Sequence, residues 1–461
     1  MFDAQGHRKH KKTYLIRSRF LAVIGSMVLA LGLMTPAVAF DGGVDDFYAI
    51  DNVDPHIPGE ILRTQTTTYN RMLGEADFAL PKTVDKIMYT TTDQTGSTVP
   101  VTGYVVEPQV PWNGPGRRPT VVVGRGTVGQ GDKCAPSRQW PLDGQPSPLD
   151  TGRKVNFEAL YDWVYANQGV RVVVTDYIGM GTSIMHTYMN RLDQAYAMID
   201  AARAVKNLVG EDNFGQVAFY GHSQGGGASA AAVEEVSNYA PELDVAGAYA
   251  SAPPANLEEV QRGIEDSALV GALGFSINGL AIRYPEVNKL IEDRFSDAGK
   301  QVLKDAADMC TDEVEAAFGD QQSRDWTNTG EFLNDIIKSS TGALKAMEDQ
   351  RIGNGVNQAP TMIISGPHDG TVSYQQSKEL ATRWCTAGGQ VVYRDDVMPE
   401  ITGYNHFIQA LSGGVFGVDF LMNRFRGKPL PATCQISETP QGSLNALSSI
   451  GSIPRVSDES G

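Results

Sequence analysis

One stretch near the middle of the chain, Val217-Ala218-Phe219-Tyr220-Gly221-His222-Ser223-Gln224-Gly225-Gly226-Gly227, limits what it can fold into more than any other. Val217 to Tyr220 reads as a buried strand, and Ala228 to Glu235 as a helix of small, helix-favouring residues. Between them the Gly-x-Ser-x-Gly spacing takes the chain from strand directly into helix. Such a turn forces its central residue into a strained backbone, with room only for glycine on either side. It exposes the Ser223 hydroxyl above the sheet edge, at the positive end of a helix, where a nucleophile is useful. In a chain with 49 glycines the pattern alone could equally be a Gly/Ser turn joining two elements, so the other residues must decide.

Strands and helices alternate on either side of this stretch. Lys86–Thr92 and Thr98–Val106 are β-rich and joined by a turn at Asp93–Gly96. Thr120–Val123 and Arg171–Asp176 are continuously apolar, as strands covered on both faces tend to be. A helix from about Gln194 to Val209 precedes the Ser223 strand, and Val245–Ala252, Pro360–Ser365 and Gln390–Arg394 read as later strands. That rhythm implies an α/β fold with a mostly parallel sheet and helices on both faces. It breaks after Pro253-Pro254. Residues 255–354 read as helix only (Asn256–Glu265, Glu286–Arg294, Ala298–Met309, Glu331–Ser339), an inserted helical cap between core segments 40–254 and 355–435. The uncharged run Ala268–Ile282 within it fits a buried helix of the cap or an apolar, substrate-facing lid. Residues from Phe40 to about Ala79 are polar and expected to wrap the surface, and 436–461 form a Ser/Gly/Pro-rich tail.

A serine nucleophile needs a base, an acid to orient that base, and donors for the oxyanion. In α/β-hydrolases the order along the chain is Ser, acid, His. Only His368 and His406 follow Ser223. Asp369 stands just after the Pro360–Ser365 strand, where the acid belongs, and His406 follows another strand and precedes a helical pattern. The preferred set is therefore Ser223, Asp369 and His406. His368 adjoins Asp369 and reads as a turn residue; as base it would need Asp395 or Asp396. His222 is expected to pack beside the nucleophile rather than act on it. For the oxyanion the expected donors are the backbone N–H groups of Gln224 and of Thr127, in the loop after Thr120–Val123. The same loop, Gly124-Arg125-Gly126-Thr127-Val128-Gly129, matches a dinucleotide fingerprint, but Gly131 and Pro136 follow where that motif must open a helix. No cofactor and no metal are expected.

Residues 1–39 read as a cleaved signal peptide: a basic segment (Arg8 to Arg19), an apolar run Phe20–Met34, and a small-residue site ending at Ala39. The run is short for a membrane span, so the protein is expected to be secreted without a stable one. Losing six basic residues and one acid takes the formal charge from −16 to −21, which argues against nucleic-acid binding. Cys134, Cys310, Cys385 and Cys434 all fall in the mature part, an even count that suggests two disulfides with three connectivities open.

Gly126-Thr127, Cys134-Ala135-Pro136-Ser137, Thr175 through Gly181, Tyr220 through Gly226 and a helical block containing Cys310 together resemble the secretory lipase family (lipase A-type) over nearly the whole mature chain. The resemblance implies an α/β-hydrolase core with a helical cap and an ester-cleaving triad that maps to Ser223, Asp369 and His406. It also implies the pairs Cys134–Cys310 and Cys385–Cys434. The expected function is a secreted serine ester hydrolase, a triacylglycerol lipase or esterase taking lipid or other ester substrates, with action at an oil–water interface. A cell-envelope acyltransferase using the same triad is the alternative. A peptidase and a non-catalytic envelope binding protein are weaker readings.

Overall fold

The computed structural model describes residues 46–50, 53, 57–70, 80–142, 158–430 and 432–437. The expected signal peptide and the tail beyond residue 437 lie outside these. Among the described residues ten strands form one sheet: β1 (Ile61–Thr68), β2 (Thr83–Thr92), β3 (Thr98–Val106), β4 (Thr120–Gly124), β5 (Arg171–Ile178), β6 (Val217–His222), β7 (Val245–Ser251), β8 (Thr361–Ser365), β9 (Val391–Asp395) and β10 (Cys434–Ser437). Their order is β1-β2-β3-β5-β4-β6-β7-β8-β9-β10. The β1–β2, β2–β3 and β3–β5 pairs are antiparallel; every pair from β5 onward through β10 is parallel. Two boundaries depart from expectation. β1 lies in a segment read as surface wrapping, because Arg63-Thr64-Gln65-Thr66 carries no apolar alternation and owes its strand to pairing with β2 at the sheet edge. The last strand runs to Ser437, two residues into the expected tail, held parallel to β9.

Two-residue periodicity along β6 divides the core. Val217 and Phe219 join one apolar cluster with α2 (Arg191–Val209) and α3 (Gln224–Tyr239). Tyr220 instead meets Tyr161 and Tyr165 of α1 (Ala159–Ala166) and stacks on Tyr249 of β7 at 4.8 Å between centroids. The valines at 121–123 and 172–174 are fully buried. Each such side chain contributes about 1.5–3 kcal/mol over an exposed one, so the centre of the sheet is a stiff platform.

Between β7 and β8 the chain forms helices: α4 (Leu257–Ile264), α5 (Ala272–Arg283), α6 (Pro285–Arg294), α7 (Asp297–Ala306), α8 (Thr311–Phe318), α9 (Leu333–Lys338) and α10 (Thr341–Asp349). These helices share an apolar core of their own that includes Phe275, Leu280, Leu303, Val314 and Trp326. The uncharged run is thus the insert's buried interior, chiefly α5. Tyr188 and Met189, from the segment before α2, belong to the same cluster and dock the insert on the core. Arg283 of α5 adds ion pairs to Asp93 and Asp193, each at 2.8 Å. After β8 the chain runs through α11 (Tyr374–Thr386), β9, α12 (Asn405–Phe425) and β10.

Candidate active site

Ser223 stands between β6 and α3 with φ 56° and ψ −121°. A non-glycine residue held at positive φ costs on the order of 1–3 kcal/mol, which the packed surroundings must supply. Those surroundings leave no room for side chains at the neighbouring glycines. A methyl group on Gly221 would stand 2.2 Å from the carbonyl of Gly225, and one on Gly225 only 1.9 Å from the oxygen of Gly124. Ser223 N–H donates to Ser251 O at 2.9 Å, which ties the turn to β7.

Asp369 follows β8 and His406 is the second residue of α12; both are buried. The two meet with His406 Nδ1 2.8 Å from Asp369 Oδ2, and His406 Nε2 lies 2.8 Å from Ser223 Oγ. The other carboxylate oxygen, Oδ1, accepts the N–H groups of Thr371 and Val372, each at 2.9 Å. Burial works to raise the proton affinity of Asp369, but His406 and the two backbone donors outweigh it and hold the carboxyl below its ordinary range. An ionised Asp369 accepts only, so Nδ1 carries the proton and Nε2 is free to accept from the serine hydroxyl.

The other residues singled out by sequence fall as follows. His368 sits in the turn after β8, half-buried. Its prospective acids are engaged elsewhere: Asp395 accepts from Tyr374 Oη at 2.8 Å and Asp396 from Ser412 Oγ at 2.7 Å. His222 packs against His406 and bonds Ser251 Oγ at 3.0 Å. Thr127 lies in the loop after β4, its hydroxyl 2.7 Å from Tyr188 Oη and its carbonyl accepting from Thr311 Oγ1 at 3.0 Å. That loop runs beside Ser223: a methyl group on Gly126 would be 3.7 Å from its Cβ. Gln224 is the first residue of α3, so its N–H has no partner within the helix.

Three residues that the sequence did not single out shape this neighbourhood. His186 bonds Ile178 O through Nδ1 at 2.8 Å and Gln224 Nε2 through Nε2 at 3.1 Å. Since the carbonyl only accepts and the amide nitrogen only donates, the ring is neutral with its proton on Nδ1. Burial, which lowers its pKa to about 4, agrees. Tyr188 links the Thr127 loop to Phe275 of the insert through an edge-on ring contact of 5.7 Å. Glu158, just before α1, accepts the Gly126 N–H on both carboxylate oxygens, at 3.0 and 3.2 Å. No motif marks any of them; a histidine or glutamate becomes visible only when the fold brings a distant loop to it.

Cys134 and Cys310 form one disulfide and Cys385 and Cys434 the other, of the three pairings open to four cysteines. The first joins the loop after β4 to the start of α8, beside a backbone bridge between Gly129 and Cys310. The second joins α11 to β10 at the sheet's far edge.

A mostly parallel sheet, a serine on a strained strand-to-helix turn and a histidine between it and a buried aspartate define a lipase-type α/β-hydrolase, a serine ester hydrolase by class. Residues 145–432 match the family model for secretory lipases, and the chain belongs to that family. A secreted triacylglycerol lipase of Malassezia furfur is 25% identical over 288 residues, 61% of this chain and 59% of its own length. A protein of Mycobacterium tuberculosis named as a probable inactive lipase is 25% identical over 378 residues, covering 81% of this chain and 80% of its own. In fold, the chain is similar to Candida antarctica lipase A in its closed state, with a TM-score of 0.71 at 20% identity over 85% of this chain and 88% of that one.

Proposed function

We propose that this protein is a secreted lipase or esterase that hydrolyses carboxylic esters through Ser223, His406 and Asp369. The observation that carries the reading is the continuous hydrogen-bonded line from Asp369 through His406 to Ser223 Oγ. Ser223 Oγ attacks the ester carbonyl while its proton passes to His406 Nε2; the imidazolium then protonates the departing alcohol and an acyl-enzyme remains. A water deprotonated by His406 releases the acid and restores the serine. The N–H groups of Thr127 and Gln224 receive the oxyanion, worth on the order of 100- to 1,000-fold in rate per donor. The mycobacterial relative's name denies it activity, but in this chain His406 bonds both Ser223 Oγ and Asp369.

Lipid esters are the favoured substrates. Phe407, 43% exposed, lies with its ring 5.6 Å from that of His406, and Tyr404 two residues before His406 is 45% exposed; exposed aromatic surface beside the histidine suits acyl chains and an oil–water interface. The insert from α4 to α10 serves as the cap over that site, and the mature enzyme begins after Ala39. The test is turnover of p-nitrophenyl esters of increasing acyl length by the mature protein and by Ser223→Ala. Activity that vanishes in the variant, with preference for longer chains, is the expected result. Equal rates in both proteins would remove Ser223 as the nucleophile, and turnover only on addition of an acceptor alcohol would point to acyl transfer.

A further inference from the structure

We infer that Glu158 is a positioning residue of this site: its carboxyl holds the loop bearing Thr127 beside Ser223 and adds an ionisable charge within electrostatic reach of His406. The inference rests on the reading of Ser223 and His406 given above. Its geometric basis is Gly126. Both Glu158 oxygens accept the Gly126 N–H, and a methyl group on that glycine would be 2.7 Å from Glu158 Oε1 and 3.7 Å from Ser223 Cβ. One residue of the loop therefore separates the carboxyl from the nucleophile. Gly126 also precedes Thr127, so whatever turns the peptide at residue 126 also aims the candidate oxyanion donor.

Holding an N–H group does not require a charge; a carboxyl here has a second effect. The groups around it are Arg125 from the loop after β4, Asp162 and Tyr161 from α1, Tyr177 of β5, Tyr220 of β6, and His406 from α12. Arg125 does not neutralise Glu158 outright, because its guanidinium is already paired with Asp162 and bonded to Tyr104 Oη. Burial raises the Glu158 pKa to about 7, in opposition to Arg125 and the Gly126 N–H, which lower it; Asp162 adds to the rise and His406 opposes it. Part of the residue reaches solvent, but the carboxyl end lies against the loop, so its charge is weakly hydrated and changes near neutral pH. When ionised it favours the imidazolium that His406 must form; when protonated it withdraws that support.

The experiment measures kcat/KM against pH on a soluble short-chain ester for wild type, Glu158→Gln, Glu158→Ala and Ser223→Ala, each with a thermal melt to establish folding. Glutamine keeps an acceptor for the Gly126 N–H but cannot ionise. In wild type the acid limb should span two coupled ionisations. In Glu158→Gln it should contract to a single one, with its midpoint about 0.5 to 1 pH unit lower, the shift expected for one charge several ångströms away in a partly screened site. Glu158→Ala should also lose about tenfold in plateau rate through the missing hydrogen bond. A Glu158→Gln profile that superposes on wild type overturns the inference, whether or not the plateau falls. Ser223→Ala separates the two readings: if it is silent while the Glu158→Gln profile is unchanged, only Glu158 is misassigned; if it remains active, the serine reading fails first.

Discussion

His222 and His406 lie ring beside ring, their centroids 4.8 Å apart and their planes inclined at 41°. Only one of the two can usefully carry charge. Burial above all, and then the nearness of His406, lower the His222 pKa to about 3, so His222 is neutral wherever an ester hydrolase works. It gives His406 an uncharged floor, fixed in turn to Ser251 of β7.

Removing that floor should disturb the base without touching substrate. His222→Ala is expected to lower kcat about 10- to 100-fold with little change in KM, since small misplacements of a reacting group carry losses of that size. Steady-state kinetics on a folded variant decide it; an unchanged kcat would mean that α12 alone sets the ring.

Asp369→Asn should leave the melting temperature near that of wild type and reduce kcat by about 10,000-fold. The amide keeps the shape but can present its NH₂ to Nδ1, which favours the imidazole tautomer with no acceptor facing Ser223. A loss smaller than tenfold would show that Asp369 does not orient the base.

Acid should weaken the fold through two histidines. His186 and His222 have folded-state values of about 4 and about 3 against an ordinary 6.5. The unfolded chain therefore binds protons first: the stability tied to their neutral forms is complete above about pH 6.5 and lost progressively as pH falls toward 4. Urea midpoints from pH 7.5 to 4.5 should fall accordingly, and less steeply in His186→Gln. A flat profile would contradict the burial of both rings.

For Glu158 the sign is opposite. Its folded-state pKa of about 7 exceeds the ordinary 4.5, so its stabilising contribution is complete below 4.5 and gone once pH has risen through 7. Glu158→Gln should thus be more stable than wild type at pH 8, by on the order of 1–2 kcal/mol, with the gap closing near pH 4. Chemical denaturation at the two pH values provides the check, and a variant less stable at pH 8 would refute it.

The two disulfides should differ in what their loss does. Cys134→Ser with Cys310→Ser leaves only hydrogen bonds holding the Thr127 loop to α8, and should lower both the melting temperature and kcat; removing a native disulfide typically costs about 2–5 kcal/mol. Cys385→Ser with Cys434→Ser should lower stability while kcat per folded molecule stays near wild type, because that bridge lies at the sheet edge. Equal loss of kcat from both pairs would argue against a special role for the first.

The strained turn at Ser223 was legible because steric exclusion leaves a local signature: Gly221 and Gly225 crowd each other, and Gly225 also faces the backbone of Gly124. Asp369 and His406 were legible through chain order and the strands before them. Glu158, His186 and Tyr188 were not, since each acts on a residue 32 to 61 positions distant and none carries a local pattern. β1 escaped because an edge strand of threonine, arginine and glutamine relies on its neighbour's backbone rather than on apolar alternation. The helical insert was recognisable as a block, but whether its uncharged run faces inward or toward substrate depends on packing against Leu303 and Val314, which periodicity does not encode.

The bond from Ser223 to His406 spans 183 residues and the Cys134–Cys310 bridge 176. A polypeptide made from its N-terminus thus completes the Ser223 turn long before His406 exists, and the Thr127 loop long before the cysteine that anchors it. Until α12 emerges, no imidazole stands at Ser223 Oγ. On the proposed reading, hydrolytic competence waits for residue 406, because the hydrogen bond to Ser223 Oγ needs its imidazole.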